Sequence, residues 1–225
     1  MNNNESYKQI VFWAAIIIGI GLVVAGMIWL VSLQANKPTD GSVTIENTIA
    51  PDDWVKGNRN AEVILIEYSD FQCPACAYYS PLVNTLSDEF GDRLAFVYRH
   101  FPLPKHQNSK PMVYAAEAAG MQEKFWEMHG LIFDGQTKWA DEKDVKNIIV
   151  GYAESLGLNV EQFVKDLDSV ELKKRMDETF QKNDRIGITY TPTFFLNGKR
   201  ISNPKSYAEF KDIIAKAINE NPEKP

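Results

Sequence analysis

The chain has 225 residues, 44% of them hydrophobic, and a formal net charge of −6. That is enough apolar material for one core of ordinary size, and it argues against general disorder. The acidic balance, with no phosphate-cradling glycine loop of the Walker or dinucleotide type, argues against nucleic acid and nucleotides as partners.

After a short flank, 1–9, no charged side chain occurs from Ile10 to Leu33. A helix over this run would be roughly 36 Å long, enough to cross a hydrocarbon core of ~30 Å. A cleaved signal peptide carries a shorter apolar stretch of about 7 to 15 residues, so 10–33 is expected to be an uncleaved transmembrane anchor. Trp13 and Trp29 lie near its two ends, where indole rings favour the membrane interface. Lys8 and Lys37 flank it evenly and give no orientation. Residues 34–53 are polar, with Pro38, Gly41 and Pro51, and read as a tether reaching roughly 65 to 70 Å if extended. The folded domain is expected over 54–225.

Val63 to Tyr68 and Leu94 to Tyr98 are apolar, β-branched runs expected of strands covered on both faces. Pro74 to Phe90 between them reads as a helix stopped by Gly91, making a parallel β-α-β unit. Tyr114, Ala118, Met121, Phe125, Met128 and Ile132 recur at helical spacing and predict one amphipathic helix, with Ser109 as cap and Pro111 in its first turn. Val145 to Leu156, Val160 to Leu167 and Leu172 to Asp184 predict three more. Thr193 to Leu196 and Lys199 to Ile201 are strands joined by Asn197-Gly198, a hairpin signal, and Tyr207 to Ile218 is a terminal helix. The architecture expected is α/β, with a helical insertion at about 105–186 sharing one core with the strands.

Cys73 and Cys76, the only cysteines in the sequence, stand where the first strand gives way to the first helix, the context of a redox dithiol. Unpaired amides and the positive dipole end of a helix favour a thiolate at Cys73 and lower its pKa. Cys76, one turn further in, is placed to attack a mixed disulfide formed by Cys73. Pro74 suits the first helical position, where its missing N–H has no partner to lose. Structural zinc wants four ligands, and the sequence adds only His100, His106 and His129, without a second closely spaced pair. A purely stabilising disulfide would close too small a loop to contribute much. No metal site is therefore expected. The histidines are individually uninformative; His129, beside an apolar stripe, reads as a core or boundary residue, and His100 as the end of a strand.

Glu67 to Cys76 (EYSDFQCPAC), Phe96 to Pro102 (FVYRHFP), Lys124 to His129 (KFWEMH) and Gly187 to Gly198 (GITYTPTFFLNG) together resemble the DsbA-like thioredoxin-fold family, most closely its membrane-anchored BdbD-type members. Four separated motifs occur in the family's order. The resemblance implies a thioredoxin fold with a helical insertion and disulfide exchange in exported proteins. It implies Cys73 as the attacking and Cys76 as the resolving cysteine, and Thr191-Pro192 as a substrate-binding loop with a cis proline. Sequence alone would leave that bond trans. It further implies Glu67 as a buried acid that moves the proton of the second thiol, against the plainer reading of a strand-end carboxylate facing water. No cofactor is implied, but an electron partner is, a membrane protein of the DsbB or VKOR type. Pro-Ala between the cysteines departs from the Pro-His of the strongest oxidants and leaves redox strength open.

These readings converge on a membrane-anchored thiol-disulfide oxidoreductase acting outside the cytoplasm on reduced or unfolded exported proteins. The alternatives are a reductase or isomerase using the same sulfurs, a tethered copper(I) metallochaperone, and an interaction module indifferent to its cysteines.

Overall fold

The structure is a computed structural model that describes residues 12–13, 16–27 and 44–220. The chain divides into two units, Met1–Ser42 and Val43–Pro225. In the first, residues 12–13 and 16–27 are helical. The rest of the anchor expected at 10–33 lies outside the described residues, as do the flank 1–9 and residues 34–43 of the tether. Among the described residues no helix is long and apolar enough to cross a membrane.

The second unit is built on a five-stranded sheet in the order β1-β3-β2-β4-β5. Its strands are β1 (Trp54–Gly57), β2 (Val63–Ser69), β3 (Leu94–His100), β4 (Thr193–Leu196) and β5 (Lys199–Ile201). β2 and β3 run parallel, from Val63 opposite Leu94 to Ser69 opposite His100; the other pairs are antiparallel. A parallel pair needs a crossover, supplied by helix α1 (Pro74–Phe90). It starts at the proline and ends at Gly91, whose φ of 52° suits a residue without a Cβ. Asn197 and Gly198, at φ 47° and 78°, form the two-residue loop between β4 and β5. Such loops need left-handed residues to match the twist of the strands.

Between β3 and β4 come α2 (Ser109–Gly120), α3 (Phe125–Asp134), α4 (Gln136–Trp139), α5 (Lys146–Ser155), α6 (Val160–Leu167) and α7 (Val170–Asp184); α8 (Tyr207–Glu220) closes the domain. The single helix expected across Ser109 to Ile132 is therefore two. The chain leaves α2 through Glu123 at φ 62°, with the Lys124 amide donating to Ala119 O at 2.9 Å. This break lets Phe125 stack on Trp54, with ring centroids 4.1 Å apart. A Cβ at Gly120 would come within 2.4 Å of the same indole, so the small residue and the turn together admit Trp54. The periodicity continued in register across a turn, which spacing alone does not reveal. Nor is Ser109 the cap: Asn108 holds that position and makes no side-chain cap bond.

One buried cluster joins a sheet face (Val63, Leu65, Phe96, Tyr98, Phe194) to α1, α8 and the helical insertion. The other face carries Ile66, Tyr68, Val97 and Phe195, covered by Ile45, Ile49, Phe101, Ile186 and Ile188. The tether expected to run to Asp53 thus gives way to folded chain at Thr44. Thr44 bridges to Lys199, and the Ile45 amide donates to Gly198 O at 2.9 Å. The Arg99 guanidinium clamps Asp53 through both carboxylate oxygens, at 2.9 and 2.6 Å, and donates to Thr48 O. Two apolar side chains and one acid in a polar stretch are what this segment adds to the cover of this face, and so sparse a signal is not legible as periodicity.

Candidate active site

Parallel strands end on the same side of a sheet, and ligands gather outside their carboxyl ends. Cys73 and Cys76 lie there, following β2. Cys73 is the N-cap of α1, with extended backbone, so its sulfur lies beside the first-turn amides. It is 8% exposed, whereas Cys76 is fully buried behind it. Both are free thiols. Pro74 occupies the first turn of α1. The loop before it is pinned by the Cys73 amide donating to Asp70 O at 3.0 Å and by Gln136 Nε2 donating to Phe71 O and Cys73 O at 2.6 and 3.1 Å.

The Thr191–Pro192 bond is cis, and the Cys73 thiol donates to Thr191 O at 3.3 Å. Asn203 Nδ2 holds the loop by donating to Pro192 O at 2.9 Å. Tyr190, 39% exposed, stands beside it with the Arg200 guanidinium 4.8 Å from its ring centre. Glu67 is on β2 and 2% exposed, its carboxyl group accepting from the Ser69 hydroxyl at 2.7 Å. It does not face water, because its parity along β2 matches Leu65 on the core face.

The three acids are set far apart. Cys73 is lowered from the ordinary thiol value of 9.0 to about 5, chiefly by the hydrogen bond from the Cys76 thiol, with the Thr191 side chain and the amides of Cys76 and Ala75 adding to it against burial. Burial first, then the bond it gives to Cys73 and the charge of Glu67, push Cys76 well above its ordinary value. Burial raises Glu67 from 4.5 to about 8, partly offset by Ser69 and reinforced by a charged Cys73. At neutral pH this arrangement holds a thiolate outside, a thiol inside and a neutral carboxyl beneath, a division of acid and nucleophile set by environment.

Because the folded-state pKa of Glu67 is raised, its stabilising contribution is full below pH 4.5 and lost as pH rises through about 8. Glu67→Gln is therefore expected to raise the thermal midpoint at pH 9 by ~5 °C and to leave it nearly unchanged at pH 5. Thermal unfolding of the two reduced proteins at both pH values measures this. An equal shift at both would show that Glu67 does not titrate in this range.

Two residues that the sequence did not flag also shape the site. Asp70, fully buried, accepts from the amides of Gln72 and Leu103 and from His106 Nδ1, each at 2.7 Å. The Gln72 side chain ties the cysteine loop to the insertion, accepting from the Asn108 amide and donating to Ala140 O, both at 2.7 Å. Such long-range polar ties have no periodic signature. The other histidines are engaged elsewhere. His100, the last residue of β3, meets Glu117 at 3.0 Å, and His129, 2% exposed, lies among Phe71, Tyr98 and Phe133. Among the described residues no group of three or more His, Cys, Asp or Glu side chains is placed to hold a metal.

Residues 50–216 match the family model for thioredoxin. The fold is similar to that of Wolbachia pipientis alpha-DsbA1, with a TM-score of 0.69 at 19% identity over 79% of this chain and 98% of that one. It is also similar to oxidised BdbD of Bacillus subtilis, with a TM-score of 0.64 at 24% identity over 82% of this chain and 100% of that one. In sequence, the chain is 33% identical over 175 residues to Na(+)/H(+) antiporter NhaA 1 of Mycolicibacterium vanbaalenii, covering 75% of this chain and 27% of the antiporter. A protein of the same name from Salinispora arenicola is 37% identical over 166 residues, covering 72% and 24%. The chain thus spans about a quarter of the length of the curated relatives it matches.

Proposed function

Since the chain belongs to the thioredoxin family, we propose that it is a DsbA-like thiol-disulfide oxidoreductase that introduces disulfides into reduced exported proteins. The observation that carries this reading is the pairing of a barely exposed, acidified Cys73, in contact with the Thr191 carbonyl, with a buried Cys76 one turn behind it. In the oxidised protein a substrate thiolate attacks Cys73 Sγ. The Cys73–Cys76 bond breaks, and Cys76 leaves as a thiolate that takes a proton from the Glu67 carboxyl. A second substrate thiolate then attacks the substrate sulfur of the mixed disulfide and expels Cys73, so the substrate loses two electrons and the protein gains them. Thr191 and Pro192 flank Cys73 where a substrate backbone would lie.

Net oxidation is favoured over reduction or isomerisation by the low pKa of Cys73, because stabilising the reduced thiolate makes the disulfide a stronger oxidant. Turnover then needs a membrane electron acceptor, and a protein of the DsbB or VKOR type fits that role. For the anchor over 10–33, the supporting observation is that Ile17, Ile18, Ile20, Leu22 and Val23 of helical residues 16–27 are all exposed. Together with the charge-free run this supports a single-pass anchor, and the likeness to BdbD and DsbA proteins supports placing the catalytic domain outside the cytoplasm.

Cys76→Ala is the direct test, since without the resolving sulfur a mixed disulfide at Cys73 persists. Cells producing this variant are expected to accumulate reducible, covalent adducts with exported proteins at least ~10-fold above wild type. Non-reducing gels probed for the chain read the result, and adducts confined to cytoplasmic proteins would refute the placement.

A further inference from the structure

We infer that His106, acting through Asp70, is a positioning residue that holds a backbone N–H against the resolving sulfur; this rests on the dithiol reading above. The Asp70 side chain is fully buried, and a buried carboxyl group needs hydrogen-bond partners around it. One donor, the Gln72 amide, closes a local turn within the cysteine loop. The other two, the Leu103 amide and His106 Nδ1, come from the loop after β3 and share the second oxygen. The carboxylate is thus a peg driven into a socket that only the 103–106 segment completes.

What the peg fixes is the main chain of residue 70. Its carbonyl accepts from the Cys73 amide at 3.0 Å, and its own amide donates to Cys76 Sγ at 3.5 Å. An N–H at a sulfur stabilises a thiolate far more than a neutral thiol, because bonds to a charged acceptor are the strong ones. Cys76 carries charge only while it resolves or departs, so this amide acts on that step. Cys73 draws its own support from Cys76, Thr191 and the first-turn amides, none of which His106 touches. The contact runs from imidazole to carboxylate to amide and meets the inner sulfur directly, whereas the outer residue is reached only through its backbone amide on the Asp70 carbonyl.

Oxidised glutathione separates the two sulfurs. The Cys73 thiolate attacks it, its disulfide breaks, one glutathione thiolate leaves and a Cys73–glutathione disulfide forms. Cys76 then attacks Cys73 Sγ, and the second glutathione departs with the Cys76 proton as the Cys73–Cys76 bond closes. In the full chain, acid-quenched mass spectra follow both steps against pH. His106→Ala is expected to slow the second step about tenfold, the scale of one hydrogen bond to a charged group. Its pH midpoint should move up by about one unit, while the first step stays within about twofold. His106→Asn, which can still donate to the carboxylate, should recover most of the second step.

A second step unchanged in His106→Ala, or both steps slowed alike, overturns the inference. If the alanine variant does not fold, Asp70→Asn decides the matter, since it keeps the turn to Gln72 but weakens the tie to His106. A wild-type rate for its second step is equally fatal. Failure of the wild-type chain to form any Cys73–Cys76 disulfide would instead bring down the dithiol reading itself.

Discussion

Cys73→Ser abolishes disulfide exchange, lowering the rate of disulfide formation in a reduced, unfolded test protein by roughly three orders of magnitude or more, to the uncatalysed background. A serine hydroxyl fits the same N-cap, and the Thr191 carbonyl could still accept from it, so the fold and substrate contacts persist. What disappears is the only sulfur with both access and acidity: Cys73 is 8% exposed and lowered to about 5, whereas Cys76 is sealed and raised. Cys76 cannot substitute, because its thiolate is disfavoured and no substrate reaches it. The measurement is thiol loss in the test protein with oxidised wild type, set against the variant carried through the same oxidant and freed of it. A residual rate above about a tenth of wild type would mean that chemistry does not pass through this sulfur.

The potential of the Cys73–Cys76 couple is expected to fall by only about 30 mV per pH unit between pH 5 and 8, half the slope of an ordinary dithiol. Reduction takes up two electrons and, where both sulfurs end as thiols, two protons, each worth about 30 mV per unit for a two-electron couple. With Cys73 ionised above about pH 5 and Cys76 still protonated, only one proton is taken up. Over three units the difference from an ordinary dithiol amounts to ~90 mV. The same ionisation governs stability. The folded pKa of Cys73 lies below its unfolded value of 9.0, so its contribution to the reduced protein is complete above pH 9 and disappears as pH falls through about 5. Reduced protein should therefore gain on oxidised protein in thermal stability from pH 5 to 9. Equilibration with glutathione buffers across this range yields the slope, and about 60 mV per unit throughout would show Cys73 to be an ordinary thiol.

Much of this site can be read from the chain because its parts obey local rules. The cysteines fall at a strand-to-helix junction, and α1 begins at Pro74 and ends at Gly91 as proline and glycine require. The hairpin at Asn197-Gly198 is equally local. Glu67 stands in an otherwise apolar strand, and it is the family resemblance that implies its burial. What could not be read depends on partners distant in sequence. Asp70 and Gln72 look like ordinary loop residues until Leu103, His106 and Asn108 arrive to bond them. His106 was indistinguishable from the other two histidines. The break between α2 and α3 is dictated by Trp54, some seventy residues earlier, and the role of Ile45 and Ile49 by strands that follow them.

The ten residues ahead of β1 have a practical bearing on how this domain can be isolated. Since Ile45 and Ile49 roof the apolar side formed by Ile66, Tyr68, Val97 and Phe195, a fragment cut at Trp54 would bare that surface and strip Arg99 of its carboxylate partner Asp53. Its greasy plane would invite self-association. The natural border for a well-behaved soluble piece lies upstream of Thr44, even though every redox-active group sits far downstream of it.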